Sequence, residues 1–271
     1  MLSLFLTQAG VGSLLVMLMV PPRAAGRKFF QYTVAQSTTL LVLGGALVVA
    51  GPGPWPNSVM IMGAAVLLLI ISAGLFHQGR LGAGQGFLIA GFVLAAAGSV
   101  LDALALVPGG DTSLLSLLLY PLDAVTAGLL LGSVLIAMIL GHYYLNIPGL
   151  SIGYLQRLAV VFMVAVAARL VVASITLVRN AEQLRPLVGV LLDTEGLPVP
   201  EGTLDPFVLV FLLVHLAVGI LGAGVLAVMT WRTTLISATQ SATGILYVAL
   251  ILVIMGELAS RYMLTLTGLP F

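Results

Sequence analysis

An acid and a base stand four residues apart in Gly256-Glu257-Leu258-Ala259-Ser260-Arg261-Tyr262, inside a run otherwise as apolar as Ile245 to Met255. On a helix this spacing puts both side chains on one face, with the acid N-terminal to the cation, the favourable order. In hydrocarbon an ionisable side chain costs at least ~2.5–3.5 kcal/mol at mid-depth, so it calls for a partner or a task. Other apolar runs carry Asp102, Asp123, Arg169 and His215. Counting ~1.5 Å per helical residue from the expected span ends places all six in the outer half of a membrane. Three acids and two arginines nearly neutralise each other if the spans pack together. Such a set fixes helix register through buried ion pairs, or it works as a proton path or an anionic-ligand site. Every buried charge carries a desolvation cost of several kcal/mol that apolar residues would avoid, and this favours a task for the set as a whole.

A second set lies near the opposite boundary. His77 closes an apolar run in Leu75-Phe76-His77-Gln78-Gly79-Arg80, and His142 closes another in Gly141-His142-Tyr143-Tyr144-Leu145-Asn146. Aromatics and bases at this level ordinarily anchor a helix at the interface, which is the plain reading of Tyr143, Tyr144 and Trp231. Two histidines at a shared depth are suited to bond the carbonyls of a quinone or to ligate one haem b. Tyr143 and Arg80 stand beside them and complete the candidate cofactor site. His215 has no histidine at its own depth, which argues against a second bis-histidine haem. No metal-ligand spacing, P-loop or nucleophile elbow occurs, and no residue set predicts catalysis by the chain alone. Gln8, the Gln36-Ser37-Thr38-Thr39 stretch and Thr239-Gln240-Ser241-Ala242-Thr243-Gly244 are weaker polar insertions.

The elements that position these residues follow from composition. Of 271 residues 61% are hydrophobic and 7% charged, with a mean hydropathy of +1.21, whereas soluble domains carry roughly 25% charged residues. Ten basic and nine acidic side chains cannot cover a globular surface. Runs of about 20 apolar residues suit transmembrane helices, so the expected fold class is an all-α integral membrane protein. A net charge of +1 gives no reason to expect nucleic acid. The absence of cysteine excludes disulfides, thiolate-held iron–sulfur clusters and a cysteine nucleophile. The first apolar run lacks a basic leader and a small-x-small cleavage site, and reads as a retained span.

Turn residues and charges divide the chain into eight expected spans. They run over about 2–20, 33–50, 57–77, 85–107, 114–144, 152–178, 206–231 and 238–266, as one polytopic domain over 1–271 that admits a grouping into two four-helix bundles. The loop from Arg179 to Asp205 holds a stretch, Leu184 to Leu192, expected as a short surface helix. Arg23, Arg27, Lys28, Arg80, Arg157 and Arg232 fall on loops of one side. Basic loops stay in the cytoplasm, so both termini are expected on the outer side.

Leu6-Thr7-Gln8-Ala9-Gly10 in the first span, His77-Gln78-Gly79-Arg80 after the third, and Gly256-Glu257 through Arg261-Tyr262 in the last carry a resemblance. In these motifs and in layout the chain resembles the NrfD-like membrane-anchor subunits of polysulfide and dimethyl-sulfoxide reductases. The resemblance implies a subunit of a respiratory-type electron-transfer complex that binds a quinone without haem and exchanges electrons with a partner redox subunit. It matches His77 to the histidine-bearing loop of the quinone site, and Glu257 with Arg261 to the terminal acid–base pair. The segment 141–149 departs from that pattern, and the loop after His77 is unusually small. A haem b protein using His77 and His142, or a transporter working through the outer charged cluster, are the competing readings. The expected location is a bacterial inner membrane, with the lipid bilayer and other membrane or peripheral redox subunits as partners.

Overall fold

The computed structural model describes residues 1–51, 57–109, 113–146, 150–182, 184 and 207–271, without the side chains of residues 23, 24, 145 and 146. Every regular element among them is a helix. In chain order they are α1 (Leu2–Met17), α2 (Pro22–Val49), α3 (Asn57–His77), α4 (Leu81–Leu104), α5 (Leu114–Asn146), α6 (Gly153–Arg179), α7 (Phe207–Leu235) and α8 (Thr239–Thr267). Helices α2 to α8 are each long and apolar enough to cross a membrane, and α1, with 16 residues, is a shorter apolar helix. The chain is an all-α integral membrane protein. A helix satisfies its own backbone, which hydrocarbon cannot do for it.

Every span end but one lies within four residues of the sequence expectation. The helix of the second span begins at Pro22 instead of Thr33, with one break at Gly26, whose φ of 77 and ψ of 162 are non-helical. Burial of Phe29 and Phe30 holds this polar-flanked extension in place. The first helix stops at Met17, short of Val20, and ends in a turn before Pro21-Pro22. The turn between α3 and α4 is as short as expected. Gly79 adopts φ 79, and the Arg80 amide donates to the Leu75 carbonyl at 2.9 Å, a glycine-terminated helix end that satisfies an otherwise orphaned acceptor. The breaks at 52–56, 110–112 and 147–149 lie outside the described residues. So does the outer loop over 185–206, with nearly all of the expected surface helix.

Helix α5 is the central element. It packs against α1, α2, α4, α6 and α8, and its apolar stretch is the most buried among the seven helices long enough to cross a membrane. Successive helices α1 to α4 pack on one another, as do α5 to α8. Glycines set the closest crossings, because small residues let helix backbones approach. A Cβ on Gly12 of α1 would overlap the Gly128 carbonyl of α5, and one on Gly132 would overlap the Gly12 backbone. Where α7 crosses α8, a Cβ on Gly219 would stand 2.5 Å from Gly256 Cα. Within α7 the nine residues Val214–Gly222 wind as a π-helix, a widened turn often found at functional sites.

Replacing Gly12 by alanine therefore has to push α1 off α5. Overpacking of this kind costs ~1–3 kcal/mol. Thermal unfolding in detergent, followed by circular dichroism, will show a lowered midpoint for Gly12→Ala. The control Gly45→Ala, whose Cβ meets nothing within 4 Å, will show no loss.

Candidate functional site

Four of the six ionisable residues that share one depth in the sequence reading form one buried lattice. Arg169 of α6 donates from Nε to Glu257 Oε1 at 2.8 Å and from Nη2 to Glu257 Oε2 at 2.8 Å, a two-pronged pair with α8. Its Nη1 donates to Asp123 Oδ1 of α5 at 2.5 Å. Arg261 of α8 closes the lattice from the other side, with Nη1 to Asp123 Oδ2 at 2.6 Å and Nη2 to Asp123 Oδ1 at 2.9 Å. Ser260 Oγ accepts from Arg169 Nη2 at 3.0 Å and from Arg261 Nη2 at 3.2 Å, and donates to the Phe271 carbonyl at 2.7 Å. None of the four charged residues is more than 2% exposed, so no water screens them. The formal charges cancel: two guanidinium cations meet two carboxylates. Planar guanidinium forks suit this geometry where lysine would not.

The acid–base pair four residues apart is the weakest link of the lattice. Arg261 Nη2 lies 3.8 Å from Glu257 Oε2, beyond hydrogen-bond reach. The strong partners come from other helices: Arg169 for Glu257 and Asp123 for Arg261. Asp102, half-buried in the last turn of α4, stands apart from the lattice. His215 sits in the π-helical stretch of α7, fully buried, with Nδ1 3.0 Å from the Gly256 carbonyl. Nδ1 must carry the proton, because a carbonyl only accepts. That leaves His215 Nε2 as a buried acceptor without a partner, and Arg261 Nε is a buried donor without one. Both carboxylates already accept several charged donors, and most arginine donors are spent on them.

The sequence reading missed the seal over this lattice. Ser260 was hidden between two charged neighbours, and the chain after α8 gave no signal of its own. Tyr120 Oη donates to the Gly268 carbonyl at 2.5 Å and Thr176 Oγ1 to the Pro270 carbonyl at 2.5 Å. Phe271 is fully buried, in a cluster with Leu184, Val208, Leu212 and Met263.

The histidine set occupies the other end of the molecule. His142 lies 19 residues beyond Asp123 on α5, roughly 28 Å at the helical rise. His77, Arg80 and His142 are exposed, and Tyr143 is half-buried. The neighbours of the two histidines are joined by a ladder of rings: Phe76 to Phe30 at 5.3 Å between centroids, Phe30 to Phe29 at 5.5 Å, and Phe29 to Tyr143 at 5.4 Å. The structure thus aligns the ends of α3, α2 and α5, with rings filling the interval between the histidine-bearing turns. No cluster of three or more potential metal ligands occurs among the described residues.

A cleft of about 90 Å³ lies between α1, α4 and α5, at the level of the charge lattice. Gln8, Gly12, Phe92, Ser99, Ala124 and Gly128 line it, with the exposed Val125 on the lipid side. Ala124 adjoins Asp123 in the chain. Gln8 is 3% exposed, and its Oε1 has no hydrogen-bond partner. A buried amide oxygen left unpaired costs ~1–3 kcal/mol. No family model, curated protein or solved structure matches the chain.

Removing one member of a buried ion lattice leaves an uncompensated charge and costs ~3–5 kcal/mol, whereas removing a charge pair costs less. Asp123→Leu will therefore lower the unfolding midpoint in detergent more than the double variant Asp123→Leu with Arg261→Leu. Additive losses in this cycle would show that the two side chains are not coupled.

Proposed function

We propose that this protein is the membrane subunit of a respiratory-type electron-transfer complex and that it binds a quinone, as its resemblance to NrfD-like anchor subunits implies. The observation that carries the reading is a carbon-lined cleft lined in part by Gln8, whose Oε1 is buried without a hydrogen-bond partner. A quinol is a lipid-soluble ring with hydroxyl donors, which matches one buried acceptor among apolar walls. Ser99 supplies a second polar group on the opposite wall. The cleft is smaller than the ~150 Å³ cavity that holds a benzene ring, so the ring enters by its edge, with its tail in the bilayer.

The rest of the layout accords with this reading. Helix α1 is the eighth crossing, spanning with the turn that follows it, and the helices form two groups of four joined where α1 meets α5. The exposed bases Arg27, Lys28, Arg80, Arg157 and Arg232 mark the cytoplasmic side of a bacterial inner membrane, with both termini outward. His77, His142, Tyr143 and Arg80 form the second candidate place for the ring, and their exposed end is open to a partner redox subunit. The Asp123–Arg169–Glu257–Arg261 lattice holds the cleft wall in place and is a clamp instead of a proton relay.

Quinone analogues of both the benzo and naphtho types will protect the detergent-purified protein against heat. Gln8→Leu will weaken this protection by roughly tenfold, the worth of one buried hydrogen bond. Loss of protection in His77→Ala and His142→Ala, with Gln8→Leu unaffected, moves the ring to the aromatic end. No protection by any quinone, with no redox subunit co-purifying, sinks the proposal. A Soret band in the absorption spectrum would favour haem b instead.

A further inference from the structure

Helices α6 and α7 leave a lipid-facing groove of about 460 Å³, lined by Val166, Leu170, Ile220, Val225, Val228 and Arg232 among others. Gly224 keeps its floor low, since a Cβ there would stand 3.2 Å from Val166 Cγ1. From Ile220 to Arg232 the groove runs twelve residues of α7, roughly 18 Å at the helical rise. That is about the depth of one leaflet of a ~30 Å hydrocarbon core. It ends at Arg232, exposed in the last turn of α7.

Arg232 has no ion pair or hydrogen bond among the described residues. The described acids are engaged or distant. Asp123 and Glu257 are held by Arg169 and Arg261, Asp102 lies half-buried in the last turn of α4, at the end that holds the charge lattice, and Glu182 lies past the far end of α6. A second base is near. Gln156 Nε2 donates to the Thr234 carbonyl at 3.1 Å, which ties the start of α6 to the end of α7 and brings the exposed Arg157 to the same end of the helix pair.

We propose that this groove binds an anionic phospholipid, with one acyl chain along the α6–α7 seam and the phosphodiester on Arg232. Charge complementarity selects the occupant. A guanidinium without an acidic partner, at the interfacial end of a carbon-lined groove one leaflet deep, recognises a phosphate through its planar donor fork. A quinone ring has no charge to answer it. The site is independent of the Gln8 cleft and of the electron-transfer reading.

The test uses the full chain in detergent, stripped of lipid, with phosphatidylglycerol and phosphatidylcholine of identical acyl chains. Phosphatidylglycerol will stabilise it against heat at roughly tenfold lower concentration than phosphatidylcholine, the worth of a charge-assisted hydrogen bond. Arg232→Gln will bring the two lipids level. Val225→Trp, which fills the groove from the lipid side at an exposed position, will remove stabilisation by both. Equal effects of the two lipids on the unaltered chain, a preference that survives Arg232→Gln, stabilisation that survives Val225→Trp, or the same stabilisation by inorganic phosphate alone would each overturn the proposal.

Discussion

Two arginines and two carboxylates buried between α5, α6 and α8 constrain the rest of this molecule. In a bilayer a leucine is as well solvated by lipid as by protein, so apolar faces say little about which side of a helix turns inward. Sliding α6 by one turn would leave its apolar surface content but would strand Arg169 away from Asp123 and Glu257. The lattice therefore supplies register, and it does so for three helices at once. Glycine contacts do the same work where charges are absent. Gly12 against Gly128 and Gly132 seats α1 on α5, and Gly219 against Gly256 seats α7 on α8.

The same lattice limits the chemistry that surrounds it. Asp123 accepts from both guanidinium groups and Glu257 from one fork in full. Ser260 passes the last bond to the Phe271 carbonyl, and Tyr120 and Thr176 hold the preceding turn. Charges so engaged act as a fixed, neutral frame. The buried polar atoms left without partners around this frame are Gln8 Oε1, His215 Nε2 in the widened turn of α7 and Arg261 Nε.

Much of this was legible in the residues. Long apolar runs punctuated by proline, glycine and charge specify helices in hydrocarbon almost without ambiguity, because no other open structure satisfies its backbone there. Helical rise then assigns depth, and depth alone separated Asp123, Arg169, Glu257 and Arg261 from His77 and His142. It did not separate Asp123 from Asp102. Both lie on apolar helices in the same half, and only the central position of α5 turns the first into a shared ligand of two arginines while the second, on α4, stands outside the lattice.

What the sequence determined by itself is the helical membrane-protein class, the span boundaries to within a few residues over most of the chain, and a six-residue set that contains the four members of the buried charge lattice. Those follow from local properties: hydropathy, backbone satisfaction and a fixed rise per residue. Which charge meets which was decided by the tertiary structure. The intrahelical spacing of Glu257 and Arg261 puts them on one face, yet their hydrogen bonds go to α6 and α5, because a fork from a facing helix reaches a carboxylate squarely and an i,i+4 neighbour does not. The cleft at Gln8 and the groove ending at Arg232 are likewise gaps between helices. A gap belongs to no single segment, so it emerges only when helices distant in the chain are brought side by side.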